Sequence, residues 1–207
     1  MNNKLITALF VLLLTPGLLF AARPSVSSQE QVLNTLLDAL VVCPSNSPTR
    51  FVDNGDGTIC DHQTGLMWEQ KDGVSDSTVD LNNPRDVDNN YSWSISGGPP
   101  DGTAYTDFLA RLNGTTANTG PSEQLGGHRD WRLPTSAELQ TILFLACADV
   151  VSCTDPTFGP TAASYYWSST SLAGKPNNAW YARFSFNFVS ENQKHSTVHV
   201  RAVRGGR

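Results

Sequence analysis

Charge is scarce in this sequence. Only 16% of residues are charged against 39% hydrophobic, and the formal net charge is -5. A chain without a basic excess is a poor general partner for nucleic acid, whose phosphates are met by Lys and Arg. Catalytic signatures are missing as well: there is no Gly-x-Ser-x-Gly elbow, P-loop, Gly-x-Gly-x-x-Gly or His-Glu-x-x-His. No Cys-x-x-Cys occurs, which argues against a zinc site. His195 and His199 stand four apart, metal-pair spacing on a helix, but their surroundings read as strand. There four residues span roughly 13 Å, too far for one ion. Ser168, Ser169 and Thr170 have no obvious base beside them. The expectation is a chain that is not an enzyme. Spacing is blind to a site assembled from distant residues, so a periplasmic or surface enzyme domain stands as the alternative.

Long apolar runs are absent after residue 22, so no membrane span is expected in the mature chain. The one such run opens the sequence. Asn2-Asn3-Lys4 forms a short polar head, Leu5 to Phe20 an apolar core broken by Pro16-Gly17, and Ala21-Ala22 a small-residue exit. This layout predicts a secretory signal peptide over residues 1–22, with an uncleaved anchor as the competing reading. The protein is then expected to be exported: periplasmic, on the cell surface or secreted. About 185 residues follow, enough for one domain with its own core.

Cysteine is rare but even in number: Cys43, Cys60, Cys147 and Cys153. Four cysteines behind a leader predict disulfides in an oxidising compartment. Of the three pairings, Cys43–Cys60 and Cys147–Cys153 join neighbours in sequence and are the expected ones. Leu40-Val41-Val42-Cys43 faintly resembles a lipoprotein box, but Val42 is bulky where a small residue is needed.

Residues 23–49 read as a linker and a short amphipathic helix. Val32, Leu33, Leu36, Leu37, Leu40 and Val41 fall at helical spacing within Gln31 to Val42, a stripe for the domain's flank or for a homo-oligomer. Residues 50–207 form the predicted domain. Arg50 to Glu69 reads as a three-stranded meander with Asn54-Gly55, Asp56-Gly57 and Thr64-Gly65 at its turns. Lys71 to Gly102 is a long acidic insert, expected to be a solvated loop. No cofactor is expected; calcium is the one candidate that the insert's carboxylates raise. Ala104 to Asn113 reads as a helix, and Thr135 with Glu138 as the capping box of a second, with Leu139, Ile142, Leu143 and Ala146 inward. From Tyr165 onward the elements are strands. Trp167, Trp180, Phe184 and Phe186 are the candidate core anchors. In Thr197 to Arg204, the alternation points Arg201 and Arg204 outward or into ion pairs.

These landmarks together resemble a bacterial family named for the C-terminal domain of Legionella collagen-like protein. The resemblance rests on Phe51 to Trp68, on Asp130-Trp131-Arg132-Leu133-Pro134-Thr135 with Glu138-Leu139, on Tyr166-Trp167-Ser168-Ser169-Thr170, on Ala179-Trp180 and on Val200-Arg201-Ala202-Val203-Arg204. It implies an α+β, C-type-lectin-like fold: a twisted antiparallel sheet, two main helices and long irregular loops that present a binding face. It also implies export. The family's collagen-like founder is an adhesin for sulfated glycans, but its collagen repeats are absent here.

Three relatives by fold sharpen the expectation. Calcium-dependent lectins use a Glu-Pro-Asn loop and a Trp-Asn-Asp; here Lys175-Pro176-Asn177-Asn178 puts lysine in place of the acidic ligand, and Tyr181-Ala182 follows Trp180. Formylglycine-generating enzymes need reactive cysteines, whereas Cys147 and Cys153 are expected to be bridged. Retroelement-diversified proteins vary a patch near the C-terminus of this fold, and the Asn, Ser, Tyr and His residues between 177 and 195 match their palette, as ordinary polar loops also do. The function expected is ligand binding or adhesion, to an extracellular glycan or protein. The expected contacts are Asn177, Asn178, Tyr181, Arg183, Ser185 and Asn187, because amides adapt their hydrogen bonds and Tyr gives area at low entropy cost.

Overall fold

Turn chemistry starts the fold. A computed structural model describes residues 43–44, 47–116, 124–144, 152–186 and 188–205. The expected leader, the Gln31–Val42 helix, Cys147 and Asn187 lie outside these residues. Three strands, β1 (Phe51–Asp53), β2 (Thr58–Asp61) and β3 (Leu66–Glu69), form the expected meander. In the first turn Asp53 accepts from the Gly55 N–H and Asp56 from the Thr58 N–H, while Gly55 and Gly57 take φ of +77° and +84°, which glycine adopts without steric cost. In the second turn the buried Asp61 carboxylate gathers Arg50, the Gln63 N–H and the Thr64 hydroxyl. Burial alone would raise the Asp61 carboxyl; these donors, Arg50 foremost, hold it below its ordinary value. The Cys43–Cys60 disulfide anchors β2, with 5.3 Å between the Cα atoms. Cys153 is also disulfide-bonded and buried.

The remaining strands are β4 (Tyr91–Ser92), β5 (Tyr165–Leu172), β6 (Lys175–Arg183), β7 (Phe188–Gln193), β8 (Thr197–Val198) and β9 (Val203–Gly205). Sheet order is β1-β2-β3-β9, β4-β8 and β5-β6-β7, with every strand pair antiparallel. Helices are few. The first, α1, is π-helical over Ala104–Leu109 and α-helical over Ala110–Leu112. The second, α2, is Ser136–Thr141. The architecture is α+β and dominated by antiparallel sheet. At α2 the capping box forms as the spacing predicts: Thr135 Oγ1 accepts from Glu138 N, and Glu138 Oε2 from Thr135 N. The helix is shorter than its apolar stripe; Ile142 and Leu143 are buried just past its last turn.

Strand residues alternate between two cores. Cys60, Met67, Trp167 and Ala179 join Phe108, Trp131 and Leu133 in one. Ile59, Trp68, Tyr166 and Ala182 join Leu139, Phe158 and Phe184 in the other. Both faces of β2 and β3 are thus covered, and every residue of the two strands is buried. Three tryptophans find backbone acceptors: Trp93 to Ser168 O, Trp131 to Leu125 O and Trp167 to Tyr91 O. These bonds satisfy the indole N–H groups that burial removes from water.

Three expectations are corrected. Arg201 is buried, not outward. Its guanidinium donates to Glu69 O, Phe158 O and Thr161 Oγ1 and lies 5.2 Å from the Phe158 ring. The alternation fails because Val200, Arg201 and Ala202 follow β8 outside strand geometry and are all buried. The acidic insert is not simply solvated. Lys71, Asp86, Asp88, Asn89, Tyr91 and Trp93 are buried, and Arg111 clamps the carbonyls of Leu81 and Asn82. Finally, Trp167 and Phe184 are core anchors, but Trp180 is half-buried and Phe186 is exposed.

Candidate functional site

The strands β5, β6 and β7 set the two ends of the candidate surface. Tyr165 lies opposite Arg183, Trp167 opposite Tyr181, and Arg183 opposite Phe188. Alternation places these side chains on one face. The face is buried at Trp167 and opens outward along Tyr181. The Trp167 and Tyr181 ring centroids are 6.3 Å apart, and those of Tyr181 and Tyr165 4.8 Å, edge to face. At the open end Tyr165, Phe186 and Phe188 are 37%, 42% and 41% exposed. Between them lies Arg183, its guanidinium carbon 3.9 Å from the Phe186 centroid, 5.3 Å from Tyr165 and 6.0 Å from Phe188. Arg183 Nε donates to Ser185 Oγ at 3.0 Å. Among the described residues no carboxylate pairs with Arg183. Cation–ring contacts of this kind are worth about 0.5–1 kcal/mol at exposed sites. They orient the charge and leave its N–H groups able to donate outward.

The other end of β6 meets the acidic insert. Trp93 N and Ser94 N both donate to Lys194 O, and Lys194 N donates to Asn177 O. The Lys194 ammonium donates to Gly98 O and lies 4.0 Å from the Trp93 ring. Desolvation lowers its pKa. Asp101 ties the loop from within, accepting from Ser94 Oγ, Ile95 N and Ser96 Oγ. Those bonds, Ser94 first, hold its carboxyl down to about 2. Between loop and strands is a recess of about 240 Å³ lined by Ile95, Ser96, Gly97, Asn177, Gln193 and His195. Gly97 has φ of +85°, and a Cβ there would touch the Asn177 side chain at 3.6 Å.

The six expected contacts therefore do not form one patch. Asn177 lines the recess. Asn178 is half-buried and bonded to Glu191, which also takes Lys175 Nζ at 2.6 Å. Tyr181 and Arg183 belong to the aromatic end. Asn177 and Arg183 are six strand positions apart, roughly 20 Å at ~3.3 Å per residue. Ser185 is buried beneath Arg183 and cannot touch a partner in this conformation; it serves as an acceptor for that guanidinium. Asn187 lies outside the described residues. Phe186, read as core, belongs to the exposed end, joined by Tyr165 and Phe188, which spacing alone does not single out. Their signal is the register that sets both opposite Arg183. The Ile95–Gly97 wall, some eighty residues from Asn177, carries no local signal.

The insert's carboxylates are spent on backbone. Asp88 accepts from the N–H groups of Asp76 and Ser77, Asp80 from Asn82, and Asp86 from Asp88, while Asp72 pairs with Arg85. Among the described residues no three His, Cys, Asp or Glu side chains converge as metal ligands would. The most perturbed groups face the core. Burial raises Tyr91, raises Tyr166 to about 12, and with Lys71 pushes His199 down to about 4. No helix among the described residues is long and apolar enough to cross a membrane.

No curated protein matches the chain. The family model of the Lcl C-terminal domain matches residues 57–204. That span runs from the first hairpin turn to β9 and takes in both ends of the candidate surface. By that match over most of its length, the chain belongs to the Lcl C-terminal domain family.

Proposed function

We propose that this chain is an exported, surface-associated binding domain of C-type-lectin-like fold. It grips an extracellular protein through Tyr165, Tyr181, Arg183, Phe186 and Phe188, and it catalyses no reaction. The observation that carries this reading is Arg183: a cation lying against exposed aromatic rings, with no carboxylate partner among the described residues. Exposed aromatic and arginine side chains are the composition of interface hot spots. A carboxylate on the partner supplies the missing charge, and the rings exclude water around it. A binding role also fits the perturbed groups, since His199, Tyr91 and Tyr166 are committed to the core. Membership of a surface-associated family and an oxidised Cys43–Cys60 pair support export.

The test is an array of purified extracellular proteins and glycans probed with the full chain, followed by titration of each hit. For the true partner, Arg183→Ala and Phe188→Ala each weaken binding by about 2 kcal/mol, roughly thirtyfold. A partner bound equally well by both variants removes the assignment. A glycan hit that depends on Arg183 replaces the protein reading.

A further inference from the structure

The recess at the far end of β6 is a site in its own right. Its frame is rigid. Asp101 fastens Ser94, Ile95 and Ser96, and Gly97 N donates to Ser94 Oγ at 2.9 Å. Lys194 then joins the loop to β6, through its own N–H to Asn177 O and its ammonium to Gly98 O. Within that frame the side chains of Asn177, Gln193 and His195 make no hydrogen bond to protein among the described residues, although they line one concavity with Ser96 and Ile95. Fixed walls and free polar groups are what a ligand site needs, because the ordering cost is met before the ligand arrives.

The lining also defines the ligand's chemistry. Among the described residues that line it there is no Lys, Arg, Asp or Glu. The two charges that belong to the frame are turned into it: Lys194 toward Gly98 O and Trp93, Asp101 toward Ser94, Ile95 and Ser96. A charged ligand finds no counterion. Each amide both donates and accepts, and the Ser96 hydroxyl, its proton held by Asp101, can accept; a ligand hydroxyl both donates and accepts. Ile95, 72% exposed, offers an aliphatic wall to C–H groups. No Phe, Tyr or Trp stands among its described lining residues, and the His195 imidazole is the one ring there. At about 240 Å³ the recess falls below the roughly 300–1,000 Å³ of drug-sized pockets, which limits the occupant to one small ring or end group.

We infer that the recess lined by Ile95, Ser96, Gly97, Asn177, Gln193 and His195 binds a single neutral sugar unit, through the amides of Asn177 and Gln193, without a metal ion. The site shares no side chain with the Arg183 surface, so the two stand or fall separately.

The experiment titrates the full chain with D-glucose, D-galactose, D-mannose, L-fucose and N-acetyl-D-glucosamine by ligand-observed NMR, in chelator throughout. At least one sugar binds with a Kd of about 1 mM or tighter. Asn177→Ala and Gln193→Ala each weaken it roughly tenfold, the loss of one well-made hydrogen bond. Arg183→Ala leaves it unchanged. Both amide variants fold normally, since neither side chain is bonded to protein among the described residues, and an unchanged melting temperature verifies this. Silence from every sugar in the panel overturns the inference. So does a bound sugar indifferent to both amide variants, or one released by the chelator.

Discussion

Mild acid should destabilise this fold through one imidazole. His199 is stacked on Tyr166, with centroids 5.4 Å apart, and its Nδ1 has no hydrogen-bond partner among the described residues. Burial first, and the Lys71 ammonium second, push it from 6.5 down to about 4; Asp88 and the carbonyls of Val87 and Asn89 pull weakly the other way. The folded state thus refuses a proton that the unfolded chain accepts. Stability is complete above the unfolded value of 6.5 and falls as pH drops toward 4. The difference of 2.5 units corresponds to about 3 kcal/mol at the acid limit, of which about 2 kcal/mol is lost between about pH 7 and pH 4.5. The lowered carboxyls of Asp61, Asp130 and Glu138 act in the same direction but titrate below their ordinary range, so their losses come at lower pH. Urea unfolding followed by tryptophan fluorescence reads the loss, because Trp68, Trp93, Trp131 and Trp167 are buried. His199→Gln cannot take up the proton, and most of the loss over the same interval should disappear; His128, which burial also depresses, acts in the same direction. Equal losses in the native chain and the variant would refute the reasoning.

Three further outcomes are expected. Replacing Cys43 and Cys60 together by serine should cost about 3 kcal/mol in urea, the chain-entropy value for a 17-residue separation; a loss under about 1 kcal/mol would mean the unfolded chain is already compact there. Thr135→Ala removes the α2 cap and should cost about 1 kcal/mol by the same assay, with Glu138 still paired to Arg132. Arg201→Ala strips the donors from Glu69 O and Phe158 O and leaves a cavity, for a loss of about 3–5 kcal/mol, whereas Arg201→Met restores volume and should recover part of it; identical losses would show that packing contributes nothing.

What could be read from the chain in advance was local. Asn54-Gly55, Asp56-Gly57 and Thr64-Gly65 specify turns through backbone geometry, and Thr135 with Glu138 specify a cap across three residues. All of these stand as the spacing predicts. Cys43–Cys60 followed from proximity in sequence. What escaped depends on long-range pairing. Arg201 looks like the outward member of an alternating strand, and the carbonyls of Glu69 and Phe158, the Thr161 hydroxyl and the Phe158 ring, all contributed from far away, give its charge a reason to be inside. Phe186 looks like core because phenylalanine usually is; the register that seats Phe188 opposite Arg183 leaves the ring outside instead. The recess was half legible: Asn177 stood out as a contact, while its opposite wall at Ile95–Gly97 lies in an insert whose composition signals only solvation.

The last strand has a consequence for biogenesis. β9, at residues 203–205, pairs with β3 at residues 66–68, and Val203 also exchanges backbone bonds with Arg132. The sheet that begins near residue 51 therefore stays one strand short until residue 205 has been synthesised. Pairings this remote are slow to form. On the proposed reading of export, such a delay would keep the polypeptide unlocked until its final strand is made, so that the sheet closes where the cysteines can oxidise.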